Sequence, residues 1–216
     1  MGSQQSPEEI KENYIRAFPN NSGLLGYQIW NDINLLHENW SNYQTFYGTD
    51  QDRIDLLNQC APSFFMLLEV TLRHDIILSI ARLTDRPESG RNRQHVNASI
   101  KKLFKEIESD IDESLKDEIK NLLKVLNNQT KKIRSLRDKL IAHSDFKTKL
   151  DLRSEPLPGV SRAEIEAILS TVRDIFHKIE LNYLKSETYF QEVMAFGNAE
   201  DLINLLNNAI KSRERK

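Results

Sequence analysis

Residues 111–141 read IDESLKDEIKNLLKVLNNQTKKIRSLRDKLI. Apolar side chains return at Leu115, Ile119, Leu122, Val125, Leu126, Ile133, Leu136, Leu140 and Ile141, the recurrence of an amphipathic helix, with no Gly or Pro to interrupt it. The spacing predicts one long helix across the stretch. Such a stripe must be buried against other helices or against a sheet, so the neighbouring segments decide which.

They repeat the pattern. Trp30, Ile33, Leu36, Trp40 and Tyr43 predict a first long helix ending at Gly48. Ile54, Leu57, Phe64, Leu68, Leu72, Ile76 and Ile80 predict a second, entered through a Thr49/Asp52 cap and broken near Pro62. Ile165, Ile168, Leu169, Val172, Ile175, Phe176 and Ile179 predict another, opened by the capping box Ser161-Arg162-Ala163-Glu164. Ser6-Pro7-Glu8-Glu9 opens a short N-terminal helix, Val96 to Ile107 forms a short one, and Asn198 with Asp201 caps a last helix of about fifteen residues. Residues 85–92 and 144–160 read as exposed connections. Nothing predicts a sheet, so the expected fold is all-α: a bundle of four long helices with shorter accessory helices. The expected organisation is an N-terminal helix and linker over 1–22, the bundle over 23–190, and a C-terminal helix over 191–216, packed on or extending from it.

Composition agrees: 39% hydrophobic and 29% charged residues with 7 Gly and 6 Pro favour long helices and few turns. Charged residues interrupt every hydrophobic segment, which predicts no membrane span. The N-terminus lacks the basic start and apolar run of a signal peptide, and the single Cys60 fits a reducing compartment, so a cytoplasmic location is expected. No Gly-rich phosphate loop, HExxH, paired CxxC or GxSxG occurs. Asp174 and His177 make a single acid-x-x-His, better read as a surface ion pair than as half of a carboxylate-bridged centre, and neither metal nor cofactor is expected.

One segment carries chemistry. In Arg134-Ser135-Leu136-Arg137-Asp138-Lys139-Leu140-Ile141-Ala142-His143, a permanently charged Arg137 precedes by six residues a histidine able to exchange a proton near neutral pH. If His143 removes the proton from a ribose 2′-hydroxyl and Arg137 stabilises the charge on the attacked phosphoryl group, RNA is cleaved without a metal. Both positions are expected to face solvent. About one such spacing arises by chance in a chain of this composition, so context has to discriminate. Asp138 follows the arginine, small Ala142 precedes the histidine, and a long helix here runs into a polar loop. Surface ion pairing by the arginine and a histidine favoured by a helix C-terminus make the competing structural reading. Residues six apart on an ideal helix point about 120° apart, so the two share a site only if the helix ends between them or a second subunit contributes.

Charge points the same way. Nine Lys and Arg against three Asp give residues 121–153 a net +6, in a chain of −2. Lys131, Lys132, Arg134, Lys139 and Lys147 are the candidate RNA contacts. Arg82 and Asp85 read as an ion pair at a helix end, and Trp30 and Trp40 as core.

Arg137-Asp138-Lys139-Leu140-Ile141-Ala142-His143 resembles the R-(x4 to 6)-H motif of the HEPN superfamily. Trp30-Asn31-Asp32-Ile33, Arg53 to Asn58, Ala81-Arg82-Leu83-Thr84-Asp85, Glu155-Pro156-Leu157-Pro158 and Ser186-Glu187-Thr188 resemble its abortive-infection AbiU-type branch. The resemblance implies a HEPN-like helical bundle, commonly a homodimer, whose active members are metal-independent endoribonucleases of phage defence or toxin–antitoxin systems. It implies catalytic positions for Arg137 and His143, an accessory position for Asp138, and possible pairing with a cognate antitoxin protein. Superfamily members also serve as non-catalytic modules that bind a partner protein or a nucleotide, which leaves two readings open.

Overall fold

A computed structural model describes residues 6–48, 50–90, 94–142, 159–191 and 197–214. Among the described residues the fold is all-α apart from one two-stranded ladder. The helices are α1 (Pro7–Ala17), α2 (Gly23–Tyr47), α3 (Gln51–Cys60), α4 (Pro62–Thr84), α5 (Ile100–Ile107), α6 (Glu113–Gln129), α7 (Lys131–Ala142), α8 (Arg162–Tyr183) and α9 (Ala199–Glu214). None of them is long and apolar enough to cross a membrane.

The capping boxes form as written. Ser6 Oγ accepts from the Glu9 amide while the Glu9 carboxylate accepts from the Ser6 amide, and Ser161 and Glu164 do the same for α8. Glu164 also accepts from Lys132 at 2.5 Å, and that bond, with those from Ser161, holds its carboxyl down at about 2. Ala61 leaves the helical region before Pro62, whose ring disfavours a helical residue ahead of it, and this separates α3 from α4.

Four expectations need correction. The stretch 111–141 is not one helix, because Thr130 interrupts it. Thr130 lies at φ −87° and ψ 6°, between the helical and extended regions. Its buried hydroxyl donates to the Leu126 carbonyl at 2.7 Å, the bond by which a hydroxyl bends a helix. The cap of α3 is Asp50, whose carboxylate accepts from the Asp52 and Arg53 amides. The helix expected from Val96 starts at Ile100, because Ser99 caps it. The connection after α4 holds β1 (Glu88–Ser89) and β2 (His95–Val96), paired antiparallel. Gly90, at φ +90°, takes the chain out of β1 in a backbone conformation that a side chain disfavours.

The chain divides into two compact units. The first comprises residues 1–33 and 77–190. Here α6 packs along α8, and two contacts fix the pair as antiparallel: Lys178, late in α8, meets Glu118, early in α6, while Gln129 at the end of α6 reaches the Ala167 carbonyl early in α8. Ile165, Ile168, Leu169, Val172, Ile175, Phe176 and Ile179 make the buried face of α8, and Ile100, Leu103, Phe104 and Ile107 that of α5. Beside them Tyr14 donates to Glu180 at 2.6 Å. Glu180 is 2% exposed and also accepts from the Thr188 amide (2.9 Å) and hydroxyl (2.7 Å), while Trp30 donates its indole N–H to that hydroxyl at 2.9 Å.

The second unit comprises residues 34–76 and 191–216. Phe46, Leu56, Leu57, Phe65, Ala199 and Ile203 form its buried cluster. Arg53 grips both oxygens of Glu200, at 2.8 and 3.2 Å, and so joins α3 to α9. Asn198 caps α9, its side-chain oxygen accepting from the Glu200 and Asp201 amides.

Candidate functional site

The break at Thr130 matters because α7 carries the arginines. From the start of α7, Ile133 and Leu136 turn inward while Arg134 and Arg137 line a cleft of about 960 Å³ in the first unit. The chain after α4, from Asp85 to Gly90, also lines it, together with Asn97, with Lys101 and Lys105 from α5, and with Asn127 from α6. Five cations, Arg86, Lys101, Lys105, Arg134 and Arg137, face two carboxylates, Asp85 and Glu88. Such an excess raises the local concentration of anions.

Asn97 fixes the chain from Arg86 to Pro87. Its side-chain amide donates to the Arg86 carbonyl at 2.8 Å and its backbone N–H to the Pro87 carbonyl at 2.9 Å, which ties the end of β2 back to the chain before β1. Arg137 Nη1 reaches both oxygens of Asp85, at 2.7 and 3.0 Å. Its Nε and Nη2 reach Asp138 Oδ1 at 3.1 and 3.0 Å. Burial draws the guanidinium down, but the hydrogen bonds to Asp85 and Asp138 outweigh it and hold the group above its ordinary value. Arg137 was expected to face solvent, yet its side chain is only 24% exposed, because Asp85 pulls it against the end of α4.

Asp85 thus pairs with Arg137 rather than with Arg82. Arg82 donates instead to Ser79 at 2.9 Å, and its charge opposes the upward push that burial gives Asp32. Asp138, at 68% exposed, stands on the solvent side of the guanidinium.

The remaining candidates fall differently. Arg134 is in the cleft, Lys131 is exposed, and Lys132 is engaged with Glu164. His143 and Lys147 lie outside the described residues, as does the side chain of Lys139. Arg86, Lys101 and Lys105 were absent from the sequence-based set. They come from segments outside the basic run at 121–153, and nothing in their local sequence marks them.

A second cleft, over Tyr14, Trp30, Glu180 and Thr188, belongs to the buried network described above, whose polar groups bond to one another. His177 Nε2 donates to the Thr188 carbonyl at 2.7 Å, which commits it to that network rather than to a surface pair with Asp174. No cluster of potential metal ligands occurs among the described residues.

The described helices are consistent with an all-α module of HEPN type. Residues 24–208 match the family model described as AbiU2, and the chain belongs to this HEPN family. No curated protein and no solved structure gives a significant match to the chain.

Proposed function

We propose that the chain is a metal-independent endoribonuclease of HEPN type, acting in phage defence or as the toxin of a toxin–antitoxin pair. The observation that carries this reading is Arg137, whose guanidinium stands in the wall of a cleft shared with four further cations. A strand of RNA enters with a phosphodiester at Arg137. His143 takes the proton of the adjacent ribose 2′-hydroxyl, that oxygen attacks phosphorus, and the bond to the 5′-oxygen breaks as that oxygen takes up a proton from solvent, leaving a 2′,3′-cyclic phosphate and a 5′-hydroxyl. Arg137 stabilises the charge that grows on the phosphoryl oxygens, and Asp138 orients the guanidinium. Lys131, Lys132, Arg134, Lys139 and Lys147 hold the strand along and beyond α7.

The test is cleavage of RNA in EDTA. Activity persists, products end in cyclic phosphate, and DNA is left intact, because the ribose hydroxyl is the nucleophile and no metal-activated water is required. Cleavage that appears only on adding a divalent metal sinks the proposal. Inactivity towards every RNA, together with capture of a partner protein or nucleotide by the purified chain, supports the non-catalytic module in its place.

The same reading makes the protein a homodimer with α7 at or beside the interface, because Arg137 and His143 are six residues apart and a two-fold axis brings both copies of the motif to one cleft. Light scattering on the full chain at micromolar concentration returns the dimer mass. A monomer there counts against a composite site. A cognate antitoxin would then act by covering this cleft.

A further inference from the structure

The cations of the cleft are not equivalent. Arg137 is matched by Asp85 and Asp138, and Lys105 by Glu88 at 3.1 Å. Lys101 and Arg134 form no ion pair among the described residues, and Asp85, held by Arg137, acts on both only at longer range. Lys101 Nζ donates to the Thr84 carbonyl at 2.9 Å and to Asn127 Oδ1 at 3.4 Å. Arg134 Nη2 donates to that same Asn127 Oδ1 at 3.0 Å and to Thr130 Oγ1 at 2.7 Å, and its Nη1 to the Asn127 carbonyl at 3.3 Å.

Two half-buried positive groups therefore meet on one neutral amide oxygen. Like charges so placed repel, and neutral oxygens offset only part of the cost of taking each out of water. Burial first, and then Arg134 and Arg86 against the opposing Asp85, push Lys101 below its ordinary value. Arg134 is lowered by burial too, with Arg137 and Arg86 adding to it against Asp85. An anion placed between Lys101 and Arg134 relieves the repulsion and supplies the missing charge-assisted hydrogen bonds.

We propose that Lys101 and Arg134, set by Asn127 and Thr130, form a phosphate subsite that takes a second backbone phosphate of the strand whose neighbouring phosphate lies at Arg137. The ligand class rests on the ribonuclease reading; the pairing of two unmatched cations does not. The two positions line one continuous cleft, which suits consecutive phosphates of a strand. A free nucleotide carries the same phosphate chemistry and is the source to be distinguished.

The experiment measures fluorescence anisotropy of a labelled 2′-O-methyl RNA dodecamer, which keeps its phosphates and lacks the free hydroxyl, so binding is read without cleavage. Lys101→Met and Arg134→Met each weaken binding about tenfold at low salt. Each also lowers the steepness of log Kd against log salt by about 0.7, the share of one neutralised phosphate on a single strand. Lys11→Met, at an exposed lysine of α1 outside the cleft, changes affinity less than twofold. Lys101→Arg restores most of the affinity, which separates lost charge from a damaged fold.

Unchanged affinity and slope in both methionine variants overturn the subsite. So does ATP that binds the parent more tightly than the dodecamer and loses that binding in the same variants, since the site then takes free nucleotide. A protein that binds the dodecamer through Lys101 and Arg134 yet cleaves no RNA refutes the ribonuclease and leaves the subsite standing. Cleavage with both variants binding like the parent does the reverse.

Discussion

Alanine in place of Arg137 is expected to slow RNA cleavage at least about 100-fold, the usual loss when one preorganised donor to a developing oxyanion is removed. His143→Ala is expected to cost as much, through loss of the proton acceptor. For Arg137 the loss should fall on kcat more than on KM, because Lys101, Arg134 and Arg86 still attract the strand while the transition-state charge goes unmet. Asp138→Ala should cost less, since Asp85 continues to hold Nη1. The substitution at 137 also strands a half-buried Asp85, so a stability loss on the order of 1 kcal/mol accompanies it. Arg137→Lys separates the effects: it keeps a charge near Asp85 but loses the planar fork, and activity should stay low while melting recovers. Single-turnover rates within tenfold of the parent for both Arg137→Ala and His143→Ala would end the catalytic reading.

The largest effect on stability is expected away from the cleft. Glu180→Ala leaves the Tyr14 hydroxyl, the Thr188 amide and the Thr188 hydroxyl without their acceptor in a buried setting, and should cost at least about 3 kcal/mol. Tyr14→Phe removes one donor and leaves the carboxylate with two, so its cost should be nearer 1 kcal/mol. The tyrosine itself is pushed well above its ordinary value, by burial first and then by the charge of Glu180 and the hydrogen bond to it. It therefore stays neutral through any pH at which the protein is handled. Urea titration of the full chain measures both variants, and a Glu180→Ala midpoint like that of the parent would show that the network does not carry this weight.

The fold was legible wherever the signal was local. A hydroxyl with a carboxylate three residues on marked the starts of α1 and α8, and Pro62 marked the boundary before α4. Thr130 escaped, because a threonine inside an apolar stripe reads as helix. Its break depends on a hydroxyl bond to Leu126 and on a donor from Arg134, neither of which the stripe predicts. The start of α5 was misjudged for a different reason. Val96 continues the apolar recurrence, but Ser99, without a carboxylate three residues on, still accepts from the Lys102 amide and opens the helix there.

For the site, counting charge along the chain found α7 and missed what faces it. Lys101 and Lys105 belong to an amphipathic helix whose polar face looks ordinary, and Arg86 sits in a stretch read as a connection. They become one surface only when the chain after α4 lies against α5, where Lys105 meets Glu88 and Lys101 the Thr84 carbonyl, and α7 presents Arg134 and Arg137, three residues apart, to the same cleft. The partner of Arg137 was equally hidden, because Asp85 lies 52 residues away in sequence.

The grip of Arg53 on Glu200 bears on how the protein is born. Its two residues are separated by 147 positions, and the cluster they brace takes Ala199 and Ile203 from the last helix. During synthesis Phe46, Leu56, Leu57 and Phe65 emerge from the ribosome long before Ala199 and Ile203, which complete their cluster and are made after every residue of the first unit. The second unit therefore closes last, and until it does the nascent chain displays an oily surface that a chaperone would recognise.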